Sequence, residues 1–247
     1  MNDRKKIVVA FDLYDTLLSP ASIAKPLELM VLPEKAEPLA LRWRSLLLEY
    51  TLKLSTLGRL KNYRSILTSA LCDAARDLRT ELSKGQVDVL VRLYDSLDTF
   101  PDVAAALDKI KSHSNITAVI FFNGQKIMVQ NAFKYSRALK SRSGMFSKII
   151  TADEAREFTP GHQAYEKLAE RMGKKLNQLQ EIYVVSGNAF EVVGAINSGL
   201  STAWVNRSGG NWRGELFVTE KPTVSAQRLD DLMDEIIRHA GLSEMVI

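Results

Sequence analysis

A series of short apolar runs, separated by longer stretches with helical periodicity, constrains the fold of this chain more than any other feature. The runs are rich in β-branched and aromatic side chains, which is typical of strands covered on both faces. Strands that alternate with helices form βα units, and such units build a parallel sheet. The sequence therefore predicts an α/β fold with strands at residues 7–11, 117–122, 148–151, 182–185 and 202–205.

The long interval between the first two predicted strands carries helical patterns instead of strands. These patterns cover residues 39–57, 60–78 and 85–97. Pro38 is expected to mark the start of the first helix. We predict an α/β core domain of residues 1–18 and 98–247, and a helical domain of residues 19–97 inserted after the first strand. A last helix is predicted at residues 226–239.

Composition and charge exclude several classes of function. The chain has 33 basic and 29 acidic residues, an excess too small for a nucleic-acid footprint. The single cysteine, Cys72, rules out an intrachain disulfide or a cysteine metal site, and we expect it to pack as a small apolar side chain. The apolar run near the N-terminus is too short for a signal peptide, and no stretch is long enough to span a membrane. We expect a soluble cytoplasmic protein that binds neither nucleic acid nor membrane.

The segment IVVAFDLYDTLL, from Ile7 to Leu18, carries the strongest chemical signal. Asp12 follows a hydrophobic strand, and Thr16 lies four residues further along. In a parallel sheet the carboxyl ends of the strands form the ligand crevice. A carboxylate there can attack an electrophile and form an ester, which divides one substitution into two easier steps. Asp12 is therefore the candidate nucleophile.

This segment resembles the first motif of the haloacid dehalogenase superfamily, and within it the type II L-2-haloacid dehalogenases. The resemblance extends over nearly the whole chain, through WRSLLLEYTL, IFFNG, EFTPGHQAYEKLAE, YVVSGNAFEVVGA and TAWVNRSG. It implies a Rossmann-like core with a helical cap inserted after the first strand, which agrees with the pattern analysis. It also implies a small carboxylic acid as substrate and a homodimer formed through the cap helices.

The residue two positions after Asp12 separates the branches of this superfamily. Phosphatases of the superfamily have a second Asp there, which protonates the leaving group and helps to organise magnesium. This chain has Tyr14, as the dehalogenases do, and Asp15 one position later faces a different direction. Phosphoryl transfer and a magnesium site are therefore disfavoured. We expect no cofactor and no metal.

The resemblance implies a role for each matching residue. Asp12 would displace halide from a 2-halo acid, Arg44 would meet the leaving halide, and Asn123 would assist it. Glu191 occupies the acidic position of the fourth motif and would help to orient the hydrolytic water. The remaining matches are the pocket-wall residues Tyr14, Leu48, Tyr63 and Phe190 and the polar residues Thr16, Ser186 and Asn188.

Three positions depart from the family pattern. Thr159 replaces the lysine of the third motif, so Asp12 and Glu191 would share a site without their usual cation. One of two such carboxyls is then expected to hold a proton near neutral pH. Phe122 replaces the Ser or Thr that binds the substrate anion, and it would fill that space in the pocket. Glu191 itself replaces Asp. Lys126, or Arg44 pairing directly with Asp12, could supply the missing positive charge.

These departures leave three functions open. The first is a haloacid dehalogenase-like hydrolase that acts on a small 2-halo carboxylic acid or a related electrophile. The second is acid–base chemistry on a larger apolar substrate, as in an isomerase, cyclase or dehydratase, with Asp12 and Glu191 sharing a proton. The third is a binding protein that keeps the fold without turnover. Fold-level analogy alone does not choose among them.

Overall fold

A computed structural model describes residues 6–212 and 214–242, and this part of the chain forms an α/β fold around a parallel sheet. The strands are β1 (Ile7–Phe11), β2 (Ile116–Phe122), β3 (Phe146–Thr151), β4 (Ile182–Ser186), β5 (Ser201–Val205) and β6 (Val224–Ala226). Their order across the sheet is β3-β2-β1-β4-β5-β6, and all neighbours are parallel. The α/β prediction is therefore confirmed. The sequence missed β6, because this edge strand is short and only partly buried.

Helices fill the intervals between the strands. They are α1 (Ala24–Leu27), α2 (Pro33–Thr56), α3 (Tyr63–Asp77), α4 (Lys84–Leu93), α5 (Val103–Lys111), α6 (Lys126–Tyr135), α7 (Arg137–Lys140), α8 (Ala152–Ala155), α9 (His162–Arg171), α10 (Ala189–Asn197) and α11 (Leu229–His239). Within the described ranges, none of these helices has the length and apolar character that crossing a bilayer requires.

Strand β1 lies in the middle of the sheet, and every one of its residues is buried. Phe11 pairs with Ile120 of β2 on one side and with Val185 of β4 on the other. The chain runs outwards through β2 and β3 and then returns to the opposite side of β1. The strand order therefore reverses at the carboxyl end of β1, which is where α/β proteins bind their ligands.

Helices α1 to α4 occupy the predicted insertion, and the two chain segments that lead to and from them are joined. The Ser19 N–H donates to the Asp98 carbonyl over 2.8 Å, and the Phe100 N–H donates to the Leu17 carbonyl over 3.2 Å. Helices α2 and α3 pack together, and the Trp43 indole N–H donates to the Leu67 carbonyl over 2.8 Å. The division into domains at residues 18 and 98 stays a prediction.

Three local predictions were wrong. Helix α2 begins at Pro33, and Pro38 lies inside it, because the earlier of two prolines already supplies a suitable first position. Helix α11 begins at Leu229, since the preceding residues form β6. Cys72 is exposed on α3 and does not pack as a buried apolar side chain.

Arg207, in the loop after β5, ties the loop that follows β1 to the rest of the core. Its guanidinium donates to the carbonyls of Asp15 and Thr16 and to Asp102 Oδ1, each over 3.0 Å. The other oxygen of Asp102 accepts the Leu229 N–H at the start of α11 over 2.8 Å. Asp102 is 5% exposed, so this is a buried charge pair with well-placed hydrogen bonds. Such a pair is costly to break from one side.

We predict that Asp102→Ala destabilises the protein by about 3 kcal/mol or more, because it leaves Arg207 partly buried without its partner. The free energy of unfolding in urea measures the effect. The control is Glu235→Ala, which breaks an exposed pair with Arg238 and should cost less than about 0.5 kcal/mol. Equal costs for the two variants would contradict this account of the Arg207 contacts.

Candidate active site

Asp12 lies directly after β1 at the carboxyl edge of the sheet, and it is 4% exposed. Its Oδ2 atom accepts hydrogen bonds from the Thr16 hydroxyl over 2.9 Å and from the Asn188 amide over 3.1 Å. The Asp12 N–H donates to the Val185 carbonyl over 3.0 Å. The backbone and one carboxyl oxygen are thus fixed, which is the arrangement that a nucleophile needs.

The backbone of the loop after Asp12 restricts which residue types can occupy two positions, Asp15 in the loop itself and Gly187 in the loop that contacts it. Asp15 has a φ angle of +63°, a left-handed conformation that few residues other than Gly, Asn and Asp adopt. A Cβ atom on Gly187 would lie only 2.3 Å from the Asp15 carbonyl oxygen. With no side chain there, the Gly187 N–H can donate to the Thr16 hydroxyl over 2.9 Å. Only glycine fits this contact between the two loops.

Glu191, in the first turn of α10, is the second buried carboxyl of the site. Its Oε1 accepts the Thr159 hydroxyl over 2.7 Å, and its Oε2 accepts the Ser186 hydroxyl over 2.6 Å. Asn123 completes this network, because its amide N–H donates to the Thr159 hydroxyl over 2.8 Å and its Oδ1 accepts the Thr159 N–H over 2.7 Å. Thr159 therefore holds Glu191 with a neutral donor where the family has a cation.

Both carboxyl groups hold their protons more tightly than ordinary acids. Burial raises the pKa of Asp12 well above its usual value, and the charge of Glu191 raises it further. Burial also raises the pKa of Glu191, against the opposing effect of the Ser186 and Thr159 hydroxyls. The sequence predicted this direction from charge repulsion alone. In the structure, loss of water is the larger cause.

Arg44, on α2, points towards this site but forms its ion pair with Asp15. Its Nε and Nη2 donate to Asp15 Oδ2 over 2.8 and 2.5 Å, and its guanidinium carbon lies 5.8 Å from the centre of the Tyr14 ring. The hypothesis that Arg44 pairs directly with Asp12 is therefore not met in this structure, where Arg44 pairs with Asp15. Lys126 begins α6 and is exposed, and it forms no ion pair with any residue of the described ranges.

Aromatic rings surround the site on the side of the inserted helices. The Phe122 ring centre lies 4.9 Å from that of Tyr14 and 5.7 Å from that of Tyr63. Tyr94 and Phe158, which the sequence analysis missed, extend the cluster through Tyr14 and Tyr63. Burial raises the pKa of Tyr14 and Tyr63, so both rings stay uncharged. Two other predicted wall positions, Leu48 and Phe190, are half-buried on α2 and α10.

Taken over residues 6–212 and 214–242, the structure contains no group of three His, Cys, Asp or Glu side chains that could hold a metal ion. Half of the predicted site residues form one hydrogen-bonded system: Asp12, Thr16, Asn188, Ser186, Glu191, Thr159 and Asn123. Since Asp12 is almost fully buried, a molecule from solvent can reach its carboxyl group only after neighbouring side chains move.

We predict that Asp12→Asn and Glu191→Gln each make stability less dependent on pH. The native carboxyls have raised pKa values, so above about pH 4, the usual carboxyl range, the unfolded chain loses protons that the native protein keeps. Wild-type stability therefore falls as pH rises towards the native pKa values. The free energy of unfolding in urea, measured at pH 5 and at pH 8, checks this. From pH 5 to pH 8, the stability of each variant relative to wild type should increase by on the order of 1 kcal/mol or more. If the difference in free energy of unfolding between wild type and each variant is the same at pH 5 and at pH 8, the raised pKa values are contradicted.

Comparison with known proteins matches this chain to one family. A family model described as haloacid dehalogenase-like hydrolase matches residues 8–199. The (S)-2-haloacid dehalogenase 4A of Burkholderia cepacia is 31% identical over 199 residues, which cover 81% of this chain and 82% of that protein. The (S)-2-haloacid dehalogenase 2 of Pseudomonas sp. (strain CBS-3) is 29% identical and covers 91% of this chain and 93% of its own length.

A solved structure shows the same fold over almost the whole length. The L-2-haloacid dehalogenase from Xanthobacter autotrophicus, with chloropropionic acid covalently bound, has a TM-score of 0.79 at 26% identity. The match covers 96% of this chain and all of the other. The comparisons of sequence and of fold agree with one another. The chain belongs to the haloacid dehalogenase-like hydrolases.

Proposed function

We propose that this hydrolase displaces halide from a small 2-halo carboxylic acid or a related electrophile, with Asp12 as a covalent nucleophile. The observation that carries the proposal is the position of Asp12, whose carboxyl group is fixed by Thr16 and Asn188 at the reversal point of the sheet. The Xanthobacter autotrophicus relative with chloropropionic acid covalently bound supports a covalent route.

The first step forms a bond between an Asp12 oxygen and the substrate carbon while the carbon–halogen bond breaks. The halide leaves with the electron pair of that bond. We assign the attack to Oδ1, because Oδ2 accepts both side-chain hydrogen bonds. The product of this step is an ester of Asp12. Only the ionised carboxylate of Asp12 forms this ester, because the protonated carboxyl group is a poor nucleophile.

The second step hydrolyses the ester. Glu191 takes a proton from water as the water oxygen bonds to the Asp12 carboxyl carbon, and then returns that proton to the departing alcohol oxygen. The oxygen of water stays in Asp12, and one proton goes to solvent. Thr159 and Ser186 orient Glu191 for this role through their two hydrogen bonds, and Asn123 positions Thr159.

The aromatic cluster of Tyr14, Tyr63 and Phe122 forms the apolar wall of the proposed pocket, and we place Leu48 and Phe190 at its edge. Helices α1 to α4 would act as the cap that opens to admit substrate. Homodimer formation through these helices and a cytoplasmic location stay predictions. Relatives named as dehalogenases do not favour the acid–base or binding alternatives.

We predict that single turnover in ¹⁸O-labelled water introduces one labelled oxygen into Asp12, because water attacks the carboxyl carbon of the ester. Mass spectrometry of the peptide that contains Asp12 measures the label, with 2-bromopropionate and 2-bromopropionamide as probes. Asp12→Asn should release no bromide above the uncatalysed rate. Bromide release with label only in the product alcohol would contradict a covalent step at Asp12.

We further predict that Thr159→Lys moves the acidic limb of the pH–rate profile to lower pH, because a cation between the two carboxyls favours their charged forms. Thr159→Met is the matched control, since its side chain is similarly long but carries no charge. Bromide release between pH 4 and pH 9 measures both profiles. A limb that moves equally in the two variants would show that side-chain size, rather than charge, is responsible.

A further inference from the structure

The charges around Asp12 are unfavourable for a bound anion. Asp12 and Glu191 are both buried, and Arg44 is the cation that acts on the pKa of each. Asp15 adds a third carboxyl group beside Arg44. The group of four is net negative even when Asp12 and Glu191 together hold one proton. In a site with little water, such a charge repels a carboxylate substrate strongly.

Asp15 pairs with the charge of Arg44 and accepts hydrogen bonds from two of its three nitrogen atoms. Both bonds from Arg44, through Nε and Nη2, go to the same Asp15 oxygen. The side chains are 12% exposed for Arg44 and 34% exposed for Asp15, so water screens the pair only partly. Arg44 Nη1 is buried and has no hydrogen-bond partner among the described residues. The pair as a whole is neutral and presents one unused N–H₂ group.

The described walls of the site are aromatic, and none of these rings carries a positive charge. Phe122 stands where the family has a hydroxyl for the substrate anion, and its ring packs against Tyr14 and Tyr63. The Phe122 ring also fills the space beside Gly124, because a Cβ atom on Gly124 would lie 2.2 Å from this ring. The Tyr14 hydroxyl donates to the Tyr94 carbonyl over 3.4 Å. These surfaces fit an uncharged group.

From these contacts we infer that the substrate is an uncharged halogenated carbonyl compound, such as a 2-halo amide, and that Asp15 determines this specificity by neutralising Arg44. The inference rests on the proposed function. The steps are those given above: the Asp12 oxygen bonds to the carbon that carries the halogen, and the halide leaves with the bonding electron pair. Arg44 Nη1 donates a hydrogen bond to the departing halide, and water then releases the neutral 2-hydroxy amide.

The test compares (S)-2-bromopropionamide with (S)-2-bromopropionate, which differ mainly in charge. For the wild-type protein, we expect bromide release at pH 7 with a kcat/KM at least 10-fold higher for the amide. A higher kcat/KM for the acid, with label in Asp12, would overturn the inference and leave the proposed function standing. No bromide from either compound above the rate of Asp12→Asn, and no label in Asp12, would remove both.

Asp15→Asn tests the role of Asp15 itself. Asn tolerates the left-handed backbone and has nearly the same shape, but it leaves the Arg44 charge uncompensated. We expect the ratio of acid to amide kcat/KM to rise at least 10-fold. The matched control is Asp108→Asn, which makes the same chemical change at an exposed pair with Arg142, and its ratio should stay that of wild type. An unchanged ratio in a folded Asp15→Asn protein, checked by circular dichroism, would overturn the assignment to Asp15.

Discussion

Two carboxyl groups, Asp12 and Glu191, are buried together without a cation between them, and the rest of the site follows from this constraint. Hydroxyl and amide donors replace the missing charge: Thr16 and Asn188 on Asp12, Thr159 and Ser186 on Glu191. Neutral donors stabilise a carboxylate less than a lysine does. The protein therefore keeps both groups in place while their pKa values rise, and the ionised fraction of Asp12 depends on pH above the usual carboxyl range.

The surroundings reinforce this property. Aromatic rings pack together beside the site, and Arg44 is paired with Asp15 rather than with either buried carboxyl. Arg207 holds the carbonyls of Asp15 and Thr16 and so fixes the loop that carries this pair. Asp12, which we propose as nucleophile, Arg44, which we propose as leaving-group donor, and the aromatic cluster are thus linked through the short segment that follows β1.

The sequence predicted the features that depend on local pattern. The first five strands, Asp12 and Thr16 follow from apolar runs and from the place where the first run ends. The Asp15–Arg44 pair could not be predicted, because it needs a left-handed backbone at Asp15 and a helix from a distant part of the chain. The Asn123–Thr159 contact and Arg207 likewise depend on how separate loops meet. Edge strand β6 was missed because its three residues, two partly buried and one exposed, form too short a run to predict a strand.

The raised pKa of Asp12 beside Glu191 is the central claim, and the titration of Asp12 itself tests it most directly. Carbon-13 NMR of the side-chain carboxyl carbons, with the Asp12 signal assigned from Asp12→Asn, gives the pKa of this group. We expect a midpoint clearly above the ordinary aspartate value of 3.8, and a lower midpoint in Glu191→Gln, where one source of repulsion is gone. A midpoint at or below 3.8 that Glu191→Gln leaves unchanged would contradict the account.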